Sequence, residues 1–176
     1  MVDAAGMPAW MRLKEPATRL ILQCHAPGRL AAGAAWGVIL PEEPCRARLQ
    51  GGRAALWLGP EEHLLWQASR DPSSPFDELE RALAPFPHSL VDVSHRQVAL
   101  EIIGPHASTI LSGACPLDLD SGEFPVHMCT RTVLAKAEIV LWRLAPDAFH
   151  LEVGRSFQSY AVELLREIAR DYSAAP

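Results

Sequence analysis

An internal repeat constrains this chain of 176 residues more than any other feature. Two segments, one beginning at Cys45 and one at Cys129, share a strand, a turn, a Leu-Trp pair, a Pro-acidic turn and a His-Leu pair in that order. A match of this length predicts the duplication of one folding unit. The alternative is that strand–turn–strand patterns recur by chance. The matched residues are Leu56-Trp57, Pro60-Glu61 and His63-Leu64 in the first segment, and Leu141-Trp142, Pro146-Asp147 and His150-Leu151 in the second.

Hydrophobic periodicity predicts the same order of elements in both halves. In the first half we expect strands at Arg19–Cys24, Cys45–Leu49, Ala54–Leu58 and Glu62–Gln67, helices at Pro27–Trp36 and Phe76–Leu83, and a Ser/Pro loop at Ser69–Pro75. In the second half we expect strands at Ser89–Val93, Val98–Ile103, Met128–Leu134, Ile139–Leu144 and Phe149–Val153, and helices at Pro105–Ser112 and Phe157–Tyr172.

This order predicts an α+β fold of two similar β-α-β-β-β-α halves, with helices packed on antiparallel sheets. One extra strand precedes the second half. We expect residues 1–18 to form an N-terminal extension and residues 19–172 a single domain, with subdomains of about 19–86 and 87–172.

Composition and charge exclude several classes of protein. A net charge of −5 argues against a protein that binds nucleic acid, and 49% hydrophobic residues predict a sizeable core. The apolar stretch Leu30–Leu40 is well short of the ~20 residues of a membrane span. The first basic residue is Arg12, so the N-terminus lacks the charged start of a secretory signal. We therefore expect a cytoplasmic protein that does not bind a membrane.

The segment Asp92-Val-Ser94-His95 contains the residue types of a hydrolytic triad. In a strand, Asp92 and Ser94 share one face and His95 points to the other. A triad also needs side chains that converge from separate elements. We therefore interpret these as strand-end residues and predict no catalytic residue in the chain.

Cysteine and histidine spacing gives no local metal site or nucleophile. Cys24-His25 and Cys115 with His106 are possible nucleophile–base pairs, but free cysteine is among the most buried residue types. No C-x-x-C, H-x-x-H or glycine-rich phosphate loop is present. We expect core thiols, and neither a metal nor a nucleotide cofactor in this chain.

The segment from Arg155 to Tyr160 is the best candidate for a partner surface. Aromatic residues and arginine are enriched where protein surfaces meet, and Arg155, Phe157 and Tyr160 combine both types within six positions. Phe157 also falls on the apolar face predicted for the terminal helix, so a core role is the alternative.

The second half contains an ordered series of short motifs. They are Ser89-Leu-Val-Asp-Val-Ser-His-Arg-Gln97, Gly104-Pro-His-Ala107, Gly113-Ala-Cys-Pro-Leu-Asp-Leu119, Phe124-Pro125, Cys129-Thr-Arg-Thr132 and Arg155-Ser-Phe157 with Tyr160. Taken together, these motifs resemble the gamma subunit family of heterotetrameric sarcosine oxidase, in which they occur in the same order. The resemblance spans about Arg19 to Arg170, and Ala114 and Gly154 depart from the family pattern.

The resemblance implies a non-catalytic subunit of a complex that demethylates sarcosine oxidatively to glycine and passes the one-carbon unit to tetrahydrofolate. It implies alpha, beta and delta subunits as partners. FAD, FMN, NAD, tetrahydrofolate and zinc would be held by those subunits, with no cofactor in this chain.

The second half is also similar to the folate-binding region of the glycine-cleavage aminomethyltransferase, through Asp92-Val-Ser-His95 and Gly104-Pro-His-Ala107. That family carries an acidic pair in a hairpin that here reads Lys136-Ala-Glu138-Ile. Asp92 and Glu138 are therefore weak candidates for contacts with folate. An independent folate-binding, one-carbon protein is the alternative function.

Overall fold

A computed structural model of the chain describes residues 7–68 and 75–173, so most of the loop expected at Ser69–Pro75 lies outside the described residues. The elements in chain order are β1 (Met11–Leu13), β2 (Thr18–Cys24), α1 (Ala26–Trp36), β3 (Ala47–Gln50), β4 (Arg53–Gly59), β5 (Glu62–Gln67), α2 (Phe76–Leu83), β6 (His88–Asp92), β7 (Gln97–Ile103), α3 (Ala107–Ser112), β8 (Cys129–Leu134), β9 (Ala137–Ala145), β10 (Ala148–Gly154), a 3-10 turn (Arg155–Phe157) and α4 (Gln158–Ser173).

The chain divides into two compact units. Unit A comprises residues 15–95 and unit B comprises residues 7–14 and 96–173. Each unit has a five-stranded antiparallel sheet, in the order β3-β4-β5-β2-β6 in unit A and β8-β9-β10-β7-β1 in unit B. The fold is therefore α+β with helices packed on antiparallel sheets, as the sequence predicts.

In unit A the core forms where α1 and α2 cover one face of the sheet. Trp36 of α1 and Leu79 of α2 are fully buried together with Leu20 and Leu65 of the strands. Gly37 ends α1 in the left-handed conformation, at a φ of 75°, and its N–H donates to the carbonyl of Gly33. Glycine adopts this conformation without a Cβ penalty, which explains why α1 stops there.

In unit B, α3 and α4 cover one face of the sheet in the same way. Leu111 and Leu165 of these helices are buried with Leu100, Leu141 and Leu151 of the three central strands. The hydrophobic periods of 3.6 in α4 and of two in the strands place these side chains on facing surfaces. The expected strand and helix positions in this half are confirmed to within two residues.

The two sheets share one order of connections. Strand β2 in unit A and strand β7 in unit B are each followed by a helix and then by three strands joined by tight turns, and the last of these three strands returns to pair with β2 or β7. The turn between β3 and β4 uses Gly51 and Gly52 at φ values of 57° and 80°, as the Gly-Gly pair predicts. The duplication of one ancestral unit stays a prediction.

Strands β4 and β9 correspond in the two sheets, but their bulges are offset by one residue from the sequence match, which aligns Trp57 with Trp142. A bulge follows Trp57 in β4, whereas the bulge in β9 follows Arg143, one residue after Trp142. Because side chains alternate along a strand, Trp57 shares the face of Ala55 beneath the helices, and Trp142 lies on the face opposite Leu141. The two tryptophans are therefore not structurally equivalent.

The edge strand of each sheet was the least predictable element. The strand expected to open the second half is β6, which pairs with β2 of unit A through Leu22 and Leu90, so its assignment to the second half was wrong. The pattern of alternation identifies a strand but does not identify its partner. Strand β1, within the expected extension 1–18, pairs with β7 through Leu13 and Leu100. The single-domain organisation stays a prediction.

Candidate functional site and partner surfaces

In the triad-like segment, the side chains of Asp92 and Ser94 form hydrogen bonds with backbone groups. Asp92 ends β6, and its Oδ1 accepts a hydrogen bond of 2.8 Å from the N–H of Ser94. The buried Ser94 hydroxyl accepts from the N–H of Arg19 at 2.9 Å and donates to the carbonyl of the same residue at 3.4 Å. His95 is exposed. This serine therefore fastens the strand end to β2, as the strand-end interpretation expects.

The cysteines lie mostly in apolar surroundings. Cys24 and Cys115 are buried, and burial raises the pKa of the Cys24 thiol, an effect that the nearby Arg29 opposes. His25 instead forms an exposed ion-pair contact with Glu61, with 2.9 Å between Nδ1 and Oε1. Because the thiolate is the nucleophilic form of cysteine, a raised pKa makes Cys24 less reactive.

Sequence analysis missed a buried His–Glu pair and a buried arginine in unit B. His150 and Glu152 lie two positions apart on β10, and 2.8 Å separates Nε2 from Oε1. Arg143 of β9 is buried, and its guanidinium donates to the carbonyl oxygens of Phe124 at 2.7 Å and Pro146 at 2.6 Å. The sequence did contain a signal for these contacts, because ionisable residues occur inside two apolar strands. Such groups are buried only when a partner satisfies them.

The guanidinium of Arg143 connects β9 to the irregular segment before β8. Besides Phe124 and Pro146 it donates to the carbonyl of Leu119 at 3.2 Å, and it lies 4.9 Å from the ring centroid of Phe149. The family-like blocks around Cys115 and Phe124 are thus held against the sheet by one side chain. Its contacts assign Arg143 a structural role.

The assignment of Asp92 and Glu138 to folate contacts stays a prediction. Asp92 belongs to β6 of unit A, and Glu138 lies on β9 of unit B, where it pairs in register with Val133 beside the β8–β9 turn. The Glu138 side chain is exposed and lines none of the three cavities described below. As the sequence comparison already indicated, a single exposed carboxylate stands at the position of the acidic pair that the aminomethyltransferase resemblance implies.

The segment from Arg155 to Tyr160 joins β10 to α4. The N–H of Arg155 donates to the carbonyl of Arg96 at 2.9 Å, and the Arg155 side chain is exposed. Phe157 is 41% exposed and meets the Tyr160 ring edge to face at a centroid distance of 6.2 Å. Tyr160 is half-buried against the core of unit B. The exposure of Phe157 argues against the alternative of a core role, because Phe157 precedes α4, and the partner-surface role stays a prediction.

A second candidate surface lies in unit A, where a cleft of about 610 Å³ separates α1 from the edge strand β3. Leu30 of α1 is 73% exposed and Ile39 is 67% exposed, which are high values for large apolar side chains. Large apolar groups exposed together mark interaction sites in many proteins. Arg29 and Arg48 bring positive charge to the lining, and Glu42 and Glu43 bring negative charge.

Each unit also contains a smaller cavity. A cavity of about 470 Å³ adjoins the β3–β4 turn and is lined by Trp36 and Arg53. A narrow apolar cavity of about 90 Å³ lies in unit B, where His106 stacks on Tyr172.

In the described ranges 7–68 and 75–173 no group of three or more His, Cys, Asp or Glu side chains is placed to hold a metal ion. No described helix is both long and apolar enough to cross a membrane.

The fold of the chain is aminomethyltransferase-like. The glycine cleavage system aminomethyltransferase T from Bartonella henselae superposes with a TM-score of 0.68 over 88% of this chain and 44% of that protein. At 14% identity this likeness concerns the fold alone. Residues 27–171 match the model of the sarcosine oxidase gamma subunit family. The chain belongs to that family.

Individual relatives agree with the family match. The sarcosine oxidase subunit gamma of Corynebacterium sp. strain U-96 is 35% identical over 149 residues, covering 84% of this chain and 72% of the relative. The corresponding subunit from Arthrobacter sp. is 31% identical over 148 residues, with the same coverage. A chain in the heterotetrameric sarcosine oxidase of Corynebacterium sp. U-96 superposes with a TM-score of 0.90 at 32% identity, covering 98% of this chain and 94% of that one. The resemblance seen in the sequence motifs is confirmed.

Proposed function

We propose that this chain is the gamma subunit of a heterotetrameric sarcosine oxidase and that its role is to bind the other subunits. The observation that carries the proposal is the superposition on a chain of that assembly, which extends over 98% of this chain. A likeness over the whole chain supports a shared mode of assembly better than a likeness of one motif would. The partners are the alpha, beta and delta subunits, in the cytoplasm, with no nucleic acid and no membrane involved.

In this proposal the chain contributes no catalytic residue. The complex converts sarcosine to glycine oxidatively and passes the one-carbon unit to tetrahydrofolate. FAD, FMN, NAD, tetrahydrofolate and zinc are held by the other subunits. In support, the polar groups that could suggest chemistry are engaged in structural contacts: Ser94 with the backbone of Arg19, His150 with Glu152, and Arg143 with three carbonyl oxygens.

Arg155, Phe157 and Tyr160 form part of the surface that contacts the other subunits. Two observations support this placement. Phe157 exposes a large aromatic ring to solvent although it lies beside an apolar core, and Arg155 extends from the same short turn. Aromatic and arginine side chains of this kind are common anchors of protein interfaces.

The test is co-expression of the chain with the alpha, beta and delta subunits, followed by affinity capture and size-exclusion chromatography. The wild-type chain is expected to elute with all three partners. Arg155→Ala is expected to weaken assembly by tenfold or more while its melting temperature stays unchanged. Arg170→Ala is the matched control, because Arg170 is another exposed arginine of unit B, located in α4, where it pairs with Glu167.

A chain that elutes alone in every combination would contradict the proposal. The folate-binding alternative has a separate measurement, a calorimetric titration of the purified chain with tetrahydrofolate. Micromolar binding that is lost in Glu138→Ala would favour the alternative. Arg155→Ala that assembles as well as Arg170→Ala would leave the subunit role intact and remove this segment from the interface.

A further inference from the structure

Strand β3 lies at one edge of the unit A sheet, and among the residues that the structure describes it pairs only with β4. The N–H of Trp57 donates to the carbonyl of Arg46 at 2.9 Å, which fixes the register of the pair. In this register Arg48 and Gln50 bond to β4, whereas Ala47 and Leu49 direct their N–H and C=O groups away from it. Ala47 is buried and Leu49 is 49% exposed, so Leu49 presents the accessible donor and acceptor.

The cleft lies directly beside this edge. Arg48 and Gln50 of β3 line it on one side, and Leu30 and Ala34 of α1 line it on the other. A chain laid along β3 would direct every second side chain into the cleft, because side chains alternate along a strand. Those side chains would meet Leu30 and Ile39, which are the most exposed large apolar residues among the described residues.

The charges of the cleft indicate what the occupant carries. Glu42 is already engaged by Arg29, with 3.2 Å between Oε1 and Nη2. Arg48 forms no ion pair with any other residue that the structure describes, although it projects into the cleft beside the open edge. An acidic side chain on the added strand would pair with Arg48, while Glu43, which also lines the cleft, favours a basic or polar group beside it.

We propose that β3 binds an extended segment of a partner subunit by strand addition. The segment hydrogen-bonds to the N–H and C=O of Leu49, places apolar side chains between Leu30 and Ile39, and places an acidic side chain beside Arg48. The inference rests on the proposed function, because another subunit of the oxidase supplies the segment. A helix in the same cleft would leave the backbone groups of Leu49 without partners, which is why an extended occupant fits better.

The first test removes the outward donor. Leu49→Pro deletes an N–H that the β4 ladder does not use, and proline is tolerated on the open side of an edge strand. Leu49→Thr is the matched control, since it keeps the N–H and the strand propensity. Measured by biolayer interferometry against the co-expressed partner subunits, Leu49→Pro is expected to bind at least tenfold more weakly, and Leu49→Thr within about threefold of the wild type.

The second test places a charge in the cleft. Ile39→Glu is expected to weaken binding at least tenfold, because the carboxylate would enter an apolar contact. Val91→Glu is the control, since Val91 is 50% exposed on β6 at the opposite edge of the same sheet. Both substitutions add one exposed carboxylate to a strand or loop of unit A, so a general effect of charge would appear in both.

Hydrogen exchange gives a readout that does not depend on any variant. In the free chain the amide of Leu49 is expected to exchange quickly, whereas those of Arg48 and Gln50 are protected by β4. In the assembled complex the amide of Leu49 is expected to become at least a hundredfold slower. This measurement decides the question if Leu49→Pro fails to fold.

The outcomes separate this inference from the proposed function. A wild-type chain that never binds the other subunits overturns both. A wild-type chain that assembles, with Ile39→Glu assembling equally and the Leu49 amide unprotected in the complex, overturns only the strand addition. A free chain that dimerises in sedimentation experiments, and loses the dimer in Leu49→Pro, also overturns it, because the occupant would be a second copy.

Discussion

Nε2 of His150 lies 2.8 Å from Oε1 of Glu152, and both side chains are almost completely removed from solvent. The two residues are on the same face of β10, two positions apart, and the ring of Trp142 lies against His150 at a centroid distance of 5.7 Å. A polar contact of this kind gives each buried group a hydrogen-bond partner inside the sheet, and a buried polar group is costly without one.

We predict that Glu152→Ala lowers the free energy of unfolding by about 3 kcal/mol, because it leaves the buried imidazole of His150 without this acceptor. Glu152→Gln keeps the shape and an acceptor oxygen, so it should lose less than half as much. Urea denaturation followed by circular dichroism measures both. Equal losses in the two variants would show that the charge of Glu152, rather than its hydrogen bond, holds the structure.

The buried position of His63 should make the free energy of unfolding depend on pH. Burial lowers the pKa of His63, and the hydrogen bond of 2.8 Å to the carbonyl of Pro41 opposes this only partly. A histidine whose folded pKa lies below its unfolded value of about 6.5 stabilises the fold fully above that pH. As pH falls below about 6.5, the unfolded chain takes up the proton first and stability is lost, at up to about 1.4 kcal/mol per pH unit.

The measurement is urea denaturation of the wild type and of His63→Gln at intervals between pH 8 and pH 5. Glutamine can still donate to Pro41 and does not titrate, so the difference between the two proteins isolates the histidine. We expect this difference to be flat above pH 7 and to change steadily below pH 6.5. Parallel curves over the whole range would contradict the assignment.

Gly113 marks a close approach of α3 and α4. A Cβ at this position would lie 2.7 Å from Cγ2 of Ile168, which is closer than non-bonded carbon atoms approach. We predict that Gly113→Ala destabilises the chain by about 1–3 kcal/mol through overpacking. Gly59→Ala is the control, because its Cβ would meet Glu62 at an ordinary 3.6 Å.

A double variant tests the cause of this loss. Gly113→Ala with Ile168→Ala removes the clashing methyl group, so thermal denaturation should show the second substitution costing less in the Gly113→Ala background than in the wild type. Additive effects would mean that the loss arises from the backbone at residue 113 and not from the contact.

The contacts of Arg143 indicate that the stability of unit B requires a guanidinium group at this position. Its several N–H groups donate at once to Leu119, Phe124 and Pro146, and an ammonium group on a flexible stem cannot reproduce this fork. We expect Arg143→Lys to lower the free energy of unfolding by about 2 kcal/mol, since buried carbonyl groups would lose their donors. Arg48→Lys on exposed β3 should change it by less than 0.5 kcal/mol. Similar values for the two variants would contradict the role assigned to Arg143.

The positions of most strands and helices could be predicted because they depend on local patterns. Helix α2 at Phe76–Leu83 and strand β5 at Glu62–Gln67 match their expected bounds, and Gly51-Gly52 and Gly37 adopt the conformations that glycine uniquely permits. Family membership was also accessible, since ordered motifs survive where overall identity is about a third.

The candidate sites were accessible only in part. The exposed block at Arg155 could be found because arginine and aromatic residues stand together in sequence. The cleft beside β3 could not, because Leu30, Ile39 and Arg48 are separated along the chain and look like ordinary helix, loop and strand residues until they are folded.

The sequence by itself determined the order of elements, the turns, the α+β class and the family of this protein, because each depends on residues that are neighbours in the chain or on motifs kept in order. Only the tertiary structure decided that β6 pairs with β2 and β1 with β7, that Trp57 and Trp142 face opposite sides of their sheets, and that His150 meets Glu152 in a buried pair. The physical reason is that strand partners and register are set by the competition among many distant apolar faces for burial, and a shift of one residue exchanges the two faces of a strand without changing its local pattern.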